Sequence, residues 1–128
     1  MSKRVLVVDD DQAVRRAFEL ALRGLDYDVV LAPSGEEGVS AARDSPPDIV
    51  FLDLRMPGMN GVEVLRALRS GGLECPIIIV TAFHKEFLDQ LIEVRKEAIA
   101  FELLQKPMDR KQIIKVTQAF LNHDVIAD

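Results

Sequence analysis

Four acids stand where apolar strands should end. The run VLVV (5–8) leads straight into Asp9, Asp10 and Asp11, and the run DIVFLD (48–53) closes on Asp53. Carboxylates brought together repel one another and resist ionisation unless a positive group intervenes. Two such groups suit this chain, a hard divalent cation and a lysine. An oxygen-only donor set fits Mg2+ better than zinc, because the sequence has one Cys, two His and no cluster of either. The lysine is Lys106, which follows AFELLQ (100–105) and precedes Pro107. As a point charge on a flexible stem it can reach across a crevice. Thr81, the last residue of PIIIVT (76–81), adds a hydroxyl at the same level.

This inventory implies a chemistry. An Asp carboxylate can attack phosphorus and form an acyl phosphate. Phosphoryl transfer needs in-line attacking and leaving oxygens, with the equatorial oxygens neutralised. Mg2+, Lys106 and the Thr81 hydroxyl are able to bind those three oxygens. Asp53, on a central strand, is the best nucleophile, and Asp9 and Asp10 are better placed to hold the metal. His84 and His123 are not spaced to activate a Ser or Cys, and read as helix-surface or helix-start residues. Plain alternatives exist. Asp11 reads equally as a helix cap, and a lone Thr or Lys after a strand is often ordinary surface chemistry. Against them stands coincidence, since four of five apolar runs end in polar groups able to form one site.

Something must bring these groups together. DVVLA (28–32) completes the set of five short apolar runs, each of a kind covered on both faces in a parallel sheet. Between them lie helical patterns. Val14, Phe18, Leu22 and Leu25 form one stripe, and Ser34 with Glu37 and Asn60 with Glu63 are capping-box pairs. Val64, Leu65 and Leu68 supply the buried side of the third helix. The spacing of Phe87, Leu91, Val94 and Ala98 predicts a fourth helix over 85–98. Asp109 caps a fifth, with Ile113, Val116 and Phe120 facing inward. Strand and helix alternate five times without a linker, so residues 1–128 read as one domain. Right-handed crossovers then give a doubly wound five-stranded parallel sheet with helices on both faces. The usual order at this size, 2-1-3-4-5, sets strands 1 and 3 side by side and ligands at their carboxyl ends.

Composition excludes several classes. The 128 residues allow one ordinary core, and the formal net charge of -5 argues against a broad nucleic-acid footprint. A single Cys75 excludes an internal disulfide and reads as a half-buried residue near a strand start. MSKRVLVVDDD is no signal peptide, and no apolar run approaches the ~18 residues of a membrane span. A cytoplasmic protein without direct nucleic-acid or membrane contact is the expectation.

With these residues in place the chain resembles the receiver domain of two-component response regulators. The likeness rests on VLVVDDD, on FLDLRMPGMNG around Asp53, on IIIVTA with Thr81 and Ala82, and on LLQKP with Lys106 and Pro107. It covers essentially the whole chain. The resemblance implies the flavodoxin/CheY-like three-layer sandwich. It also implies Asp53 as phosphoacceptor, Asp9 and Asp10 as Mg2+ ligands with Asp53, and the backbone carbonyl of Arg55 as a further ligand. Thr81 and Lys106 would bind the phosphoryl group. A histidine kinase or a His-containing phosphotransfer protein would be the donor, and the domain would catalyse only its own phosphorylation and dephosphorylation. Movement of Thr81 would bias the surface of the fourth helix, fifth strand and fifth helix, where an output domain or protein, or a second copy, would dock.

The chain departs from the family pattern in places. Leu103 stands where an aromatic switch residue is usual, so it reads as core or interface packing. The segment from Thr81 to Lys106 is longer than usual by about three residues, close to one helical turn. Ile99 stands where a Gly is usual. An extended or shifted fourth helix is therefore expected. Thr81, Ala82, Phe83 and Leu103 are the switch and tuning positions, and the large Arg55 and Phe83 are able to screen an acyl phosphate from water. The main rival reading is a receiver fold that binds partners without being phosphorylated. A flavodoxin-like cofactor protein needs a phosphate-cradling loop where DDDQAV offers acids, and no nucleotide-binding glycine motif exists. No DNA-binding segment follows the fifth helix, which leaves a stand-alone protein or a piece of a longer regulator or hybrid kinase.

Overall fold

The computed structural model describes residues 2–82 and 85–122. Five strands alternate with five helices: β1 (Lys3–Val8), α1 (Gln12–Leu22), β2 (Tyr27–Ala32), α2 (Gly35–Asp44), β3 (Ile49–Leu52), α3 (Gly61–Ser70), β4 (Ile77–Thr81), α4 (Leu88–Lys96), β5 (Glu102–Gln105) and α5 (Arg110–Leu121). All strand pairings are parallel, in the order β2-β1-β3-β4-β5. This is the doubly wound sheet expected from the alternation.

The side-chain period of two divides the sheet into two cores. Leu6, Val8, Val50, Leu52, Ile77 and Ile79 point to one face, where Val39 and Ala42 of α2, Val64, Leu65 and Leu68 of α3, and Leu91 and Val94 of α4 cover them. Val5, Val7, Ile49, Phe51, Ile78 and Val80 point to the other, beneath Phe18 and Leu22 of α1 and Ile113 and Leu121 of α5. The Phe18 and Phe51 rings lie 4.8 Å apart, centroid to centroid. Strands β3 and β4 are buried throughout, and at roughly 1.5–3 kcal/mol per large apolar side chain they hold the sheet together. The edge strands differ from expectation. β5 is exposed except at Leu104, and Leu103 faces solvent rather than the core. An edge strand lacks a neighbour on one side, so a continuous apolar run there does not imply double burial.

The helix starts follow their caps. Asp11, Ser34, Asn60 and Asp109 each accept a hydrogen bond from a backbone N–H of the first turn. The Asn60–Glu63 and Asp109–Gln112 boxes are reciprocal, whereas Glu37 turns to the Ser34 hydroxyl instead of its backbone N–H. The fourth helix corrects the sequence reading. α4 spans only Leu88–Lys96, nine residues, and is not extended. Its stripe is as expected through Val94, but Ala98 lies outside the helix with φ +61°. The Ala98 N–H donates to the Arg95 carbonyl at 3.0 Å and the Ile99 N–H to the Val94 carbonyl at 3.2 Å, a Schellman turn. Helix α3 fixes where this turn sits. Arg66 pairs with Glu97, Arg69 donates to the Ala100 carbonyl, and Arg95 lies 4.0 Å over the Phe101 ring.

The left-handed position is thus Ala98, one residue before Ile99, and Ile99 packs against the core. A left-handed non-glycine residue costs roughly 1–2 kcal/mol, part of which glycine returns through the greater freedom of the unfolded chain. Ala98→Gly is expected to stabilise the fold by about 0.5–1 kcal/mol. Urea unfolding should show a higher midpoint at unchanged slope.

Candidate functional site

Strand register builds the site. Val8 pairs with Leu52, so the next residues, Asp9 and Asp53, leave the sheet side by side. The Asp53 N–H donates to the Val8 carbonyl at 3.0 Å, and the Asp9 N–H to the Ala32 carbonyl at 3.1 Å. The Lys106 N–H donates to the Thr81 carbonyl at 3.2 Å, which brings the lysine to the same edge. Asp9 is 3% and Asp53 4% exposed, and Thr81 is fully buried, while Asp10 is open to solvent. One carboxylate oxygen from each of Asp9, Asp10 and Asp53 lies within 4.8 Å of the others. An open cleft of about 660 Å³ gives access, lined by Asp10, Asp11, Asp53, Arg55 and Lys106 among others.

The electrostatics are those of a site short of positive charge. Lys106 Nζ lies 2.9 Å from Asp9 Oδ2 and 3.6 Å from Asp53 Oδ1. Burial, and then the Asp9 charge, push the Asp53 carboxyl up to about 6, against the opposing pull of Lys106, the Leu54 N–H and the Thr81 hydroxyl. Burial disfavours the Lys106 ammonium, but its hydrogen bond to Asp9 and its attraction to both acids outweigh this and hold its pKa above the ordinary value. Asp53 Oδ1 is buried without a hydrogen-bond partner. Such an orphan costs roughly 1–3 kcal/mol, more if charged. Three hard oxygen donors, one of them orphaned, fit a small divalent cation.

Local structure keeps these groups in place. Asp9 Oδ1 accepts from the Asp11 N–H at 2.9 Å, and Arg15 donates to the Asp9 carbonyl at 2.8 Å. On the other side, the Gly61 N–H donates to the Leu54 carbonyl at 2.8 Å and closes the β3–α3 loop. A Cβ on Gly61 would stand 2.2 Å from the Asp53 carbonyl oxygen, so only glycine permits this approach.

Asp9, Asp10, Asp53, Thr81 and Lys106 therefore converge as the sequence predicts. Asp11 lines the cleft, but its side chain caps α1. The Arg55 side chain stands at the mouth, with its NH1 3.9 Å from Glu86. Ala82 follows Thr81 and is exposed. Phe83, His84 and His123 lie outside the described residues. Leu103, on β5, is not part of the site. Sequence reading missed Arg15, Gly61 and Glu86. Gly61 closes the run FLDLRMPGMNG, and its close approach to the Asp53 backbone was the unread signal. Arg15 and Glu86 carry no local signal.

A parallel α/β sheet whose carboxyl edge gathers three acids, a threonine and a lysine defines a receiver-type signalling domain. Comparison with known proteins agrees: the family model of the response regulator receiver domain matches residues 5–118, and the chain belongs to this family. It is 33% identical over 127 residues to the alkaline phosphatase synthesis transcriptional regulatory protein PhoP of Bacillus subtilis, covering 99% of this chain and 52% of PhoP. It is 35% identical to the response regulator MprA of Mycobacterium ulcerans, covering 100% of this chain and 54% of MprA. The chain thus spans about half the length of the curated relatives it matches. Among solved structures it resembles the chemotaxis protein CheY4 of Vibrio cholerae, with a TM-score of 0.81 and 28% identity, over 94% of this chain and all of that one. It also resembles the Borrelia burgdorferi CheX–CheY complex with BeF3 and Mg2+, with a TM-score of 0.76 and 25% identity, over 91% of this chain and 87% of that one. Among the described residues no helix is long and apolar enough to cross a membrane.

Proposed function

We propose that residues 1–128 form a single receiver domain in which Asp53 accepts a phosphoryl group from a phosphohistidine on a kinase or phosphotransfer protein. The observation that carries this reading is the buried Oδ1 of Asp53, without a hydrogen-bond partner, beside Lys106 and within 4.8 Å of oxygens of Asp9 and Asp10. A carboxylate oxygen of Asp53 forms the new P–O bond while the P–N bond of the donor breaks. The leaving imidazole nitrogen keeps the electron pair and takes a proton. Lys106 and the Thr81 hydroxyl bind phosphoryl oxygens as negative charge shifts onto them. Asp9, Asp10, Asp53 and the Arg55 carbonyl would hold Mg2+, which, when bound, neutralises phosphoryl charge. The Mg2+ and BeF3 in the related CheY complex support this assignment.

Thr81 is already buried with its hydroxyl against the Asp53 carboxyl, so a phosphoryl group there takes over that hydroxyl and biases the face made by α4, β5 and α5. That face carries exposed Leu88 and Ile92 on α4 and Leu103 on β5, apolar surface suited to an output domain, an output protein or a second copy of the chain. The names of relatives as transcriptional and DNA-binding regulators support an output in transcription. The same exposed apolar residues favour the rival, an interaction module that is never phosphorylated.

Incubation with Mg2+ and acetyl phosphate separates the two readings. Intact mass should rise by one phosphoryl group, mapped to Asp53; an unchanged mass supports the rival. Mg2+ alone should raise the thermal midpoint, adding about 1.4 kcal/mol at ten times its dissociation constant. A midpoint indifferent to Mg2+ removes the metal from the mechanism.

A further inference from the structure

The three acids of the site are not held equally. Asp53 is enclosed by the fold, at 4% exposed. Asp9 is fixed at both carboxylate oxygens: Oδ1 accepts from the Asp11 N–H at 2.9 Å, and Oδ2 meets Lys106 Nζ at 2.9 Å. Asp10 is exposed, and among the described residues its carboxylate has no hydrogen bond or ion pair. Yet one of its oxygens lies within 4.8 Å of an oxygen on each of the other two. Its direction therefore comes from the backbone that carries it.

A peptide unit is planar, so the Asp9 carbonyl and the Asp10 N–H turn together about the soft dihedrals on either side. Fixing the carbonyl fixes the base from which the Asp10 side chain springs. Arg15 does this. Its Nη1 donates to the Asp9 carbonyl oxygen at 2.8 Å, and no backbone N–H of the described residues is bonded to that oxygen. Arg15 is half-buried on α1, whose start is tied to the same loop by the Asp11 carboxylate on the Ala13 N–H. Asp9, Asp10 and Asp11 all stand close by in the chain, yet among the described residues the Arg15 guanidinium pairs with no carboxylate. Its bond goes to a carbonyl instead, which orients the loop rather than neutralising it.

The aim of a ligand matters more to one ion than to another. Mg2+ demands near-ideal octahedral geometry at about 2.0–2.1 Å, whereas Ca2+ accepts irregular sets at about 2.3–2.6 Å. From this geometry we infer that Arg15 is a positioning residue: it holds the Asp9–Asp10 peptide plane, aims Asp10 at the other two acids, and so sets the preference of the site for Mg2+ over Ca2+. This role rests on the reading of Asp9, Asp10 and Asp53 as the metal ligands.

Arg15→Met tests it, because methionine keeps an unbranched stem and removes both donor and charge. Arg16→Met is the control. It removes the same charge one residue on, but the Arg16 guanidinium pairs with Glu19 at 2.8 Å and has no described contact with the loop. Calorimetry on the full chain gives the Mg2+ and Ca2+ dissociation constants. Loss of a positive charge beside a cation site would by itself tighten both ions alike. Arg15→Met should instead weaken Mg2+ about tenfold and Ca2+ about twofold, so that the preference for Mg2+ falls about fivefold. Arg16→Met should leave the preference unchanged. A general loss of stability would not separate the two ions. In the metal-free protein, 15N relaxation gives a second readout: the order parameter of the Asp10 amide should fall from about 0.85 toward about 0.6 in Arg15→Met and hold in Arg16→Met. An unchanged or tightened Mg2+ affinity in Arg15→Met, equal losses for the two ions, or an Asp10 amide that stays rigid overturns the positioning role. So does an Arg16→Met variant that behaves as Arg15→Met does. If wild type binds neither ion, the reading of the three acids as metal ligands itself falls.

Discussion

Asp53→Asn is expected to abolish phosphoryl uptake and, without divalent cations, to make the fold more stable at neutral pH. The first effect is chemical. An amide has no anionic oxygen with which to attack phosphorus, so intact mass after acetyl phosphate should show no gain. The second follows from electrostatics. Burial and the Asp9 charge raise the Asp53 carboxyl from 3.8 to about 6 in the folded chain. Ionising it there costs about 3 kcal/mol more than in the unfolded chain. Between pH 4 and 6 the folded state then holds the extra proton, so stability falls as pH rises through this window and stays low above it. Asn carries no charge and escapes that loss, although it gives up the attraction to Lys106.

The useful quantity is the stability difference between variant and wild type as a function of pH, which removes the titration of the other acids. It should grow in favour of Asn from about pH 4 to 7 and reach about 1–3 kcal/mol. Saturating Mg2+ should shrink or reverse it, because wild type gains a cation that the variant holds less tightly. A difference that is flat with pH would mean that Asp53 ionises as easily folded as unfolded. Asp53 would then not be the buried acid, costly to ionise, that its surroundings imply.

Most of the site was legible because its members sit at strand ends, where local pattern and topology say the same thing. Asp9, Asp53 and Thr81 each follow or close an apolar run, and the strand order alone makes neighbours of the first two. Asp11, Asn60 and Asp109 were legible as caps because a cap and its hydrogen-bonded N–H lie within three residues. α4 was misread for a related reason. Its apolar spacing continues to Ala98, but the helix ends in a left-handed turn at Ala98, whose flanking Glu97 and Ala100 are met by Arg66 and Arg69, some thirty residues away on α3. Of the two readings of Leu103, core or interface packing, the structure removes the first, because the edge position of β5 is a property of the sheet, not of the strand. The Arg55–Glu86 pair joins two loops and leaves no trace in either segment.

Gly61→Ala is expected to cost more than the same change at any glycine outside the helices. The added Cβ would lie 2.2 Å from the Asp53 carbonyl oxygen, 2.7 Å from Leu54 Cα and 2.9 Å from the Asp53 carbonyl carbon. All three are backbone atoms at the end of β3, and none can turn aside as a side chain would. Relief requires α3 to retreat from the end of β3, which breaks the Gly61 to Leu54 hydrogen bond and moves the Asp53 backbone. Overpacking of this kind costs roughly 1–3 kcal/mol, and a clash confined to backbone belongs at the upper end. Gly72→Ala is the control. Gly72 has φ +92°, and a Cβ added there would meet nothing within 4 Å. That variant therefore faces conformational strain of about 1 kcal/mol and no clash. Unfolding should rank Gly61→Ala as the more damaging by about 2 kcal/mol, and only Gly61→Ala should also weaken Mg2+ binding, because only it shifts Asp53. Equal losses at the two glycines would mean that the loop yields freely, and the rigid approach of α3 to Asp53 would not be what positions the acceptor.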